Sequence, residues 1–202
     1  MEGKVYVASM NLRGEWAPAP ENCVKVNVTS AQGTANKNRR DFSPMTAIEG
    51  GYEGFYNFEA FWQSGKVFEG ISEEKVKEFW HKVSAAKRRF PGSKGKKVLY
   101  ARFECFPEVM DYVTSRKRVY LPRYFELMKE KEMTLHWKKE VEAGKNVVIY
   151  DFDGPRLENG GVTCVEVTRE LLHEKVHDTH FPFGHGYIVA AWLKGMCPDD
   201  YM

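Results

Sequence analysis

The chain has no closely spaced cysteines, no long apolar run and no marked excess of charge, and each absence excludes something. Its four cysteines, Cys23, Cys105, Cys164 and Cys197, lie far apart with no CxxC pair. That spacing fits neither a compact disulfide framework nor a zinc knuckle. The opening segment MEGKVYVASMNL holds no extended apolar stretch, so neither a signal peptide nor a membrane span is read there. A reduced, cytoplasmic setting without a membrane partner is the expectation, and the Asn27-Val28-Thr29 glycosylation triplet is then a chance match. The formal net charge of +2 gives no global argument for nucleic acid or an anionic membrane. No internal repeat, low-complexity tract or linker is visible.

At 202 residues, with 43% hydrophobic and 29% charged residues, the chain reads as one ordinary globular domain over 1–202 with a sizeable core. Its aromatic content of 14% is high, useful for packing and for stacking planar ligands.

Alternation and β-branched residues predict strands at Lys4–Ser9 and Cys23–Thr29, separated by a loop with Gly14, Pro18 and Pro20. Residues 30–45 read as polar and irregular. A helix is expected to start at an Asn57 cap and stop at Gly70, and another to run from Ser72 towards Pro91, with Lys87, Arg88 and Arg89 in its last turn. Residues 97–103 fit a strand or a helix start. Helices are expected at Pro107–Arg118, Pro122–Lys131, Thr134–Ala143, Thr168–Asp178 and His185–Leu193, with strands at Asn146–Tyr150 and Val162–Thr168. The fold class is α+β, mostly helical, with a small sheet carrying the N-terminal strands.

The segment Phe55–Gly70 carries the most information. Read as a helix it is apolar on most sides, with Phe58, Phe61, Trp62, Val67 and Phe68, yet Glu59, Gln63 and Lys66 fall within about 60° of one another. A helix apolar on most sides is buried, so its polar stripe must look into a cavity. The plainer alternative is a solvated helix face. In a cavity, Glu59 suits an electron-poor sugar carbon, Lys66 a phosphate, Gln63 a ribose hydroxyl or a water, and Trp62 either a planar base or the core.

Lys37–Arg40 form a basic loop upstream of this helix, where Arg39 or Arg40 could meet a phosphate or simply be solvated. Asp151 and Asp153 follow a strand end, as functional carboxylates often do, although Asp and Gly also make turns. His173-Glu174-Lys175-Val176-His177 spells HExxH. The longer zincin pattern is not met, because Asp178-Thr179-His180 follows; these residues read as histidines at a helix end.

The run Asn57 to Phe68, with Glu59, Phe61, Trp62, Gln63 and Lys66 in order, resembles the central helix of the NADAR (YbiA-like) proteins. Asp41-Phe42-Ser43-Pro44-Met45 is similar to the family's Phe-Ser-Asn-Phe segment, and Ala85-Ala86-Lys87-Arg88 with Gly95 is loosely similar to its Ala-Lys-x-x-Gly region. The likeness covers roughly 42–154. No Trp-Gly follows Asp151 or Asp153, which marks a divergent member. The resemblance implies a YbiA-like fold and an N-glycosidase without metal or cofactor, acting on an ADP-ribosyl or phosphoribosyl compound that nucleic acid could carry. It implies catalytic Glu59 and Asp153, the latter assisting the leaving nitrogen or the water. Substrate contacts are implied for Arg39, Arg40, Phe42, Trp62, Gln63, Lys66 and Asp151. Two alternatives stay open: a module that binds ADP-ribose or a nucleotide without cleaving it, and a zinc hydrolase using His173, Glu174 and His177.

Overall fold

The computed structural model describes residues 1–31 and 36–202. In chain order its first elements are β1 (Val5–Ser9), β2 (Val24–Asn27), α1 (Lys37–Phe42), α2 (Phe58–Ser64), β3 (Lys66–Phe68) and α3 (Glu73–Lys82). Next come β4 (Val98–Phe103), β5 (Phe106–Met110), α4 (Tyr112–Ser115), a π-helical turn (Arg116–Tyr120), α5 (Leu121–Met128) and α6 (Glu132–Glu142). The chain finishes with β6 (Val147–Asp151), β7 (Cys164–Glu166), α7 (Arg169–His177), α8 (His185–Leu193) and a 3₁₀ turn (Pro198–Asp200). The class is α+β, and the chain forms two compact units, residues 1–43 with 121–202, and residues 44–120.

In the first unit the strand order is β2-β6-β1-β7. β6 runs parallel to both β1 and β2, and β7 closes the far edge antiparallel to β1. Every residue of β6 (VVIYD) is buried, as expected of a central parallel strand covered on both faces. α8 packs against β1 and β6 and is buried at all but one of its positions, so its apolar circumference follows from its place in the core. The register sets Ser9 of β1 opposite Asp151 of β6. Both sit at the carboxyl ends of parallel strands, where open sheets of this kind place polar chemistry.

Part of the stretch expected to be irregular is α1. Asn36 caps it by accepting from the Arg39 N–H, and its basic residues are therefore helical. Residues 32–35 of that stretch lie outside the described residues. Asp41 of α1 accepts from the Met133 N–H at 3.0 Å, capping α6, whose own Lys131 provides no side-chain cap.

The second unit is built on the antiparallel sheet β3-β4-β5, a second sheet that the sequence reading did not anticipate. α2 starts where expected: the buried Asn57 accepts from the Ala60 N–H at 2.8 Å and donates Nδ2 to the Met45 carbonyl at 2.7 Å. It ends earlier than expected. Gly65 closes the helix, and its carbonyl accepts from the Arg102 N–H at 2.8 Å. A Cβ at Gly65 would lie 2.2 Å from the Phe103 ring, so only glycine lets β4 approach here. Lys66 consequently leaves the helix and opens β3, paired with Ala101. α3 begins at its Ser72 cap but stops at Lys82, short of the expected basic last turn. The segment expected to be helical from Pro107 is β5 as far as Met110. Pro107 is tolerated there because β5 is an edge strand, and α4 starts only after the Asp111 cap.

Candidate functional site

In the second unit, burial along α2 follows the sequence reading. Phe58, Ala60, Phe61 and Ser64 are buried, whereas Glu59, Trp62 and Gln63 are half-exposed. Gln63 Nε2 donates to Glu59 Oε1 at 2.6 Å, one helical turn away. Among the described residues no cation pairs with Glu59. The Trp62 ring stacks on Phe103 with centroids 5.6 Å apart and leans on Tyr120 at 4.9 Å. Its remaining surface lines a cavity of about 360 Å³, together with Lys66, Leu99, Tyr100, Phe103 and Tyr112. Lys66 and Trp62 therefore share a cavity whose lining does not include Glu59 or Gln63, so the expected polar stripe is split, and strand pairing and not helical periodicity positions the lysine. Nothing local in the sequence marks Tyr100 or Tyr112: Tyr100 joins the wall when β4 pairs with β3, and Tyr112 comes from α4 after β5.

In the first unit Arg39 donates Nε to the Thr29 carbonyl at 3.2 Å and Nη2 to the Ser30 carbonyl at 3.3 Å. Its guanidinium thus ties α1 to the exit of β2. Arg40 lies 3.3 Å from Asp41. Phe42 is fully buried, and its carbonyl accepts from the Tyr124 hydroxyl at 2.6 Å. Burial, with the nearby Asp151 carboxylate, pushes the Tyr124 phenol well above its ordinary value.

Asp151 is 2% exposed. Its Oδ2 accepts from the Gly186 N–H at 2.9 Å and lies 3.3 Å from His185 Nδ1. His185 Nε2 is 2.5 Å from the Val28 carbonyl, which can only accept, so that nitrogen carries a hydrogen. The result is a buried strut from β6 through the first turn of α8 to the end of β2. The approach is close enough to require glycine: a Cβ at Gly184 would lie 2.4 Å from Asp151 Oδ2, and one at Gly186 would lie 2.7 Å from Asp151 Cβ. Asp153 accepts from the Gly184 N–H through its backbone carbonyl at 3.2 Å. From the sequence alone His185 marks only the start of a helix. The Gly184-His185-Gly186 pattern was the available signal of a close approach.

The HExxH residues lie on α7, with Thr168 as its cap. His173 donates Nδ1–H to the Tyr201 carbonyl at 3.1 Å, and His177 donates Nδ1–H to the His173 carbonyl at 2.8 Å. Among the described residues no three His, Cys, Asp or Glu side chains are grouped to hold a metal ion, and no helix is long and apolar enough to cross a membrane. No protein-family model, curated protein or solved structure matches the chain.

Proposed function

We propose that the protein is an N-glycosidase hydrolysing the ribose–nitrogen bond of an ADP-ribosyl compound, such as an ADP-ribosylated nucleobase, or of a phosphoribosyl amine. The resemblance of the Asn57–Phe68 segment to the NADAR family supports this. The observation that carries it is Glu59: a half-exposed carboxylate with no paired cation among the described residues, in the first turn of a helix otherwise largely buried. Such a group is available to a positive charge that appears only during reaction.

As the C1′–N bond breaks, its electron pair leaves on nitrogen and the ribose becomes oxocarbenium-like. Glu59 stabilises that cation and orients a water. The water oxygen bonds to C1′, and one of its protons ends on the leaving nitrogen. Gln63 holds Oε1, so the carboxylate keeps its direction. The cavity beside Trp62 suits the flat ring, and Lys66 at its wall suits a phosphate.

The test is incubation of the full chain with an ADP-ribosylated oligonucleotide and, in parallel, a phosphoribosylamino-pyrimidine, with mass spectrometry of the released ADP-ribose or ribose phosphate. Release is expected, and Glu59→Gln should lower it by at least about a hundredfold while binding persists. Full release by Glu59→Gln would overturn the reading, and binding without release would replace it with the non-catalytic module.

A further inference from the structure

The segment between α3 and β4 is an exposed basic arm. From residue 84 to residue 101 the chain carries six basic side chains, Lys87, Arg88, Arg89, Lys94, Lys96 and Lys97, and no acidic one. All six are exposed. A helix dipole would account for the first three, but α3 has already ended at Lys82. Among the described residues Lys87, Arg89, Lys94, Lys96 and Lys97 have no acidic partner. Like charges held this close repel one another unless a polyanion neutralises them.

The arm is anchored. Phe90 meets Phe79 of α3 edge-on at 5.2 Å. The Ser93 N–H donates to the Phe90 carbonyl at 3.2 Å, the Lys96 N–H to Ser93 at 3.0 Å, and the Glu69 N–H to Lys97 at 2.9 Å. Directly after Lys97 the chain becomes β4, whose Val98, Leu99 and Tyr100 form a wall of the cavity that Trp62 and Tyr112 also line. A file of cations thus leads straight to a concave aromatic surface.

We propose that residues 87–97 and this cavity form a docking surface for single-stranded nucleic acid, with the cations along the phosphates and one unpaired base stacked in the cavity. Base-stacking aromatics beside a basic track characterise single-strand binders, whereas a duplex keeps the faces of its bases occupied. The cavity volume, about 360 Å³, is at the small end of the roughly 300–1,000 Å³ of ligand pockets and suits one ring system. An anionic membrane would also attract the cations, but a bilayer engages protruding apolar groups and not a concave cavity. The inference shares its cavity with the glycosidase reading and rests on that reading only there, because strand binding needs no bond to be cut.

The experiment is fluorescence anisotropy of the full chain with a labelled single strand of about 12 nucleotides, within the site sizes such surfaces cover. Salt is varied from about 50 to about 200 mM. Binding should weaken steeply with salt. The triple variant Lys94→Ala/Lys96→Ala/Lys97→Ala should lower the slope of log K against log salt by about 2, at roughly 0.7 per lost phosphate contact. Tyr112→Ala should weaken binding at least about fivefold with the slope unchanged, and the matching duplex should bind less tightly. No strand binding at about 50 mM salt, an unchanged slope in the triple variant, or binding to phosphatidylserine vesicles alone would overturn the inference. Strand binding without release of any sugar sustains it and removes the glycosidase; release without strand binding does the reverse.

Discussion

Gln63 and Glu59 lie one turn apart on α2, and the Gln63 amide holds the Glu59 carboxylate at 2.6 Å. A hydrogen bond to a charged group contributes about 1.5–3 kcal/mol. Gln63→Met, which keeps length without the donor, should therefore lower turnover by roughly ten- to a hundredfold. Single-turnover kinetics with substrate binding measured in parallel checks this, since loss of orientation affects turnover more than binding.

Asn57 connects the start of α2 to residue 45 with both ends of its amide. Asn57→Ala removes a cap worth about 0.5–2 kcal/mol and leaves the buried Met45 carbonyl without that donor. A lower urea midpoint with an unchanged slope is expected. Asn57→Asp, which can still accept from Ala60 but cannot donate to Met45, should recover only part of the loss.

Gly184→Ala and Gly186→Ala would each force a methyl group against Asp151, at 2.4 Å from Oδ2 and 2.7 Å from Cβ respectively. Overpacking of this kind costs about 1–3 kcal/mol. Both variants should melt several degrees below the parent, at roughly 2–4 °C per kcal/mol for a chain of this size. Asp151→Asn should be milder, because an amide oxygen can still accept from the Gly186 N–H.

Burial pushes the Cys164 thiol up to about 11. At pH 8 it is therefore protonated and should alkylate slowly with iodoacetamide, speeding up about tenfold per pH unit as pH rises towards that value. Peptide mass spectrometry after timed labelling reads this out, with the exposed Cys105 as the internal comparison. The sign for stability follows. The folded chain holds this proton more tightly than an unfolded thiol of about 8.5, so the contribution is intact below that pH and is lost as pH rises towards 11.

Much of the secondary structure in both units could be read from the sequence because its signals are local. The composition of residues 146–150 marks a strand, and Asn57, Ser72 and Thr168 cap their helices through hydroxyl or amide groups three residues from their partners. The alternation of buried and half-exposed residues over 58–64 was equally legible, because helical period sets it.

Pairing at long range decided the rest. Lys66 reaches the cavity wall through β3 and not through a helix, since Gly65 yields its carbonyl to Arg102 across the sheet. Pro107 sits in an edge strand because β4 offers a partner there. Asp151 is held by the backbone of α8 and stands beside His185, 34 residues further along the chain. The sequence determined which segments were apolar, where helices could begin and that Glu59 and Gln63 share a face. Long-range packing settles which carboxylate is fastened inside the core and which has no cation partner among the described residues, because that depends on partners whose distance along the chain no local pattern encodes.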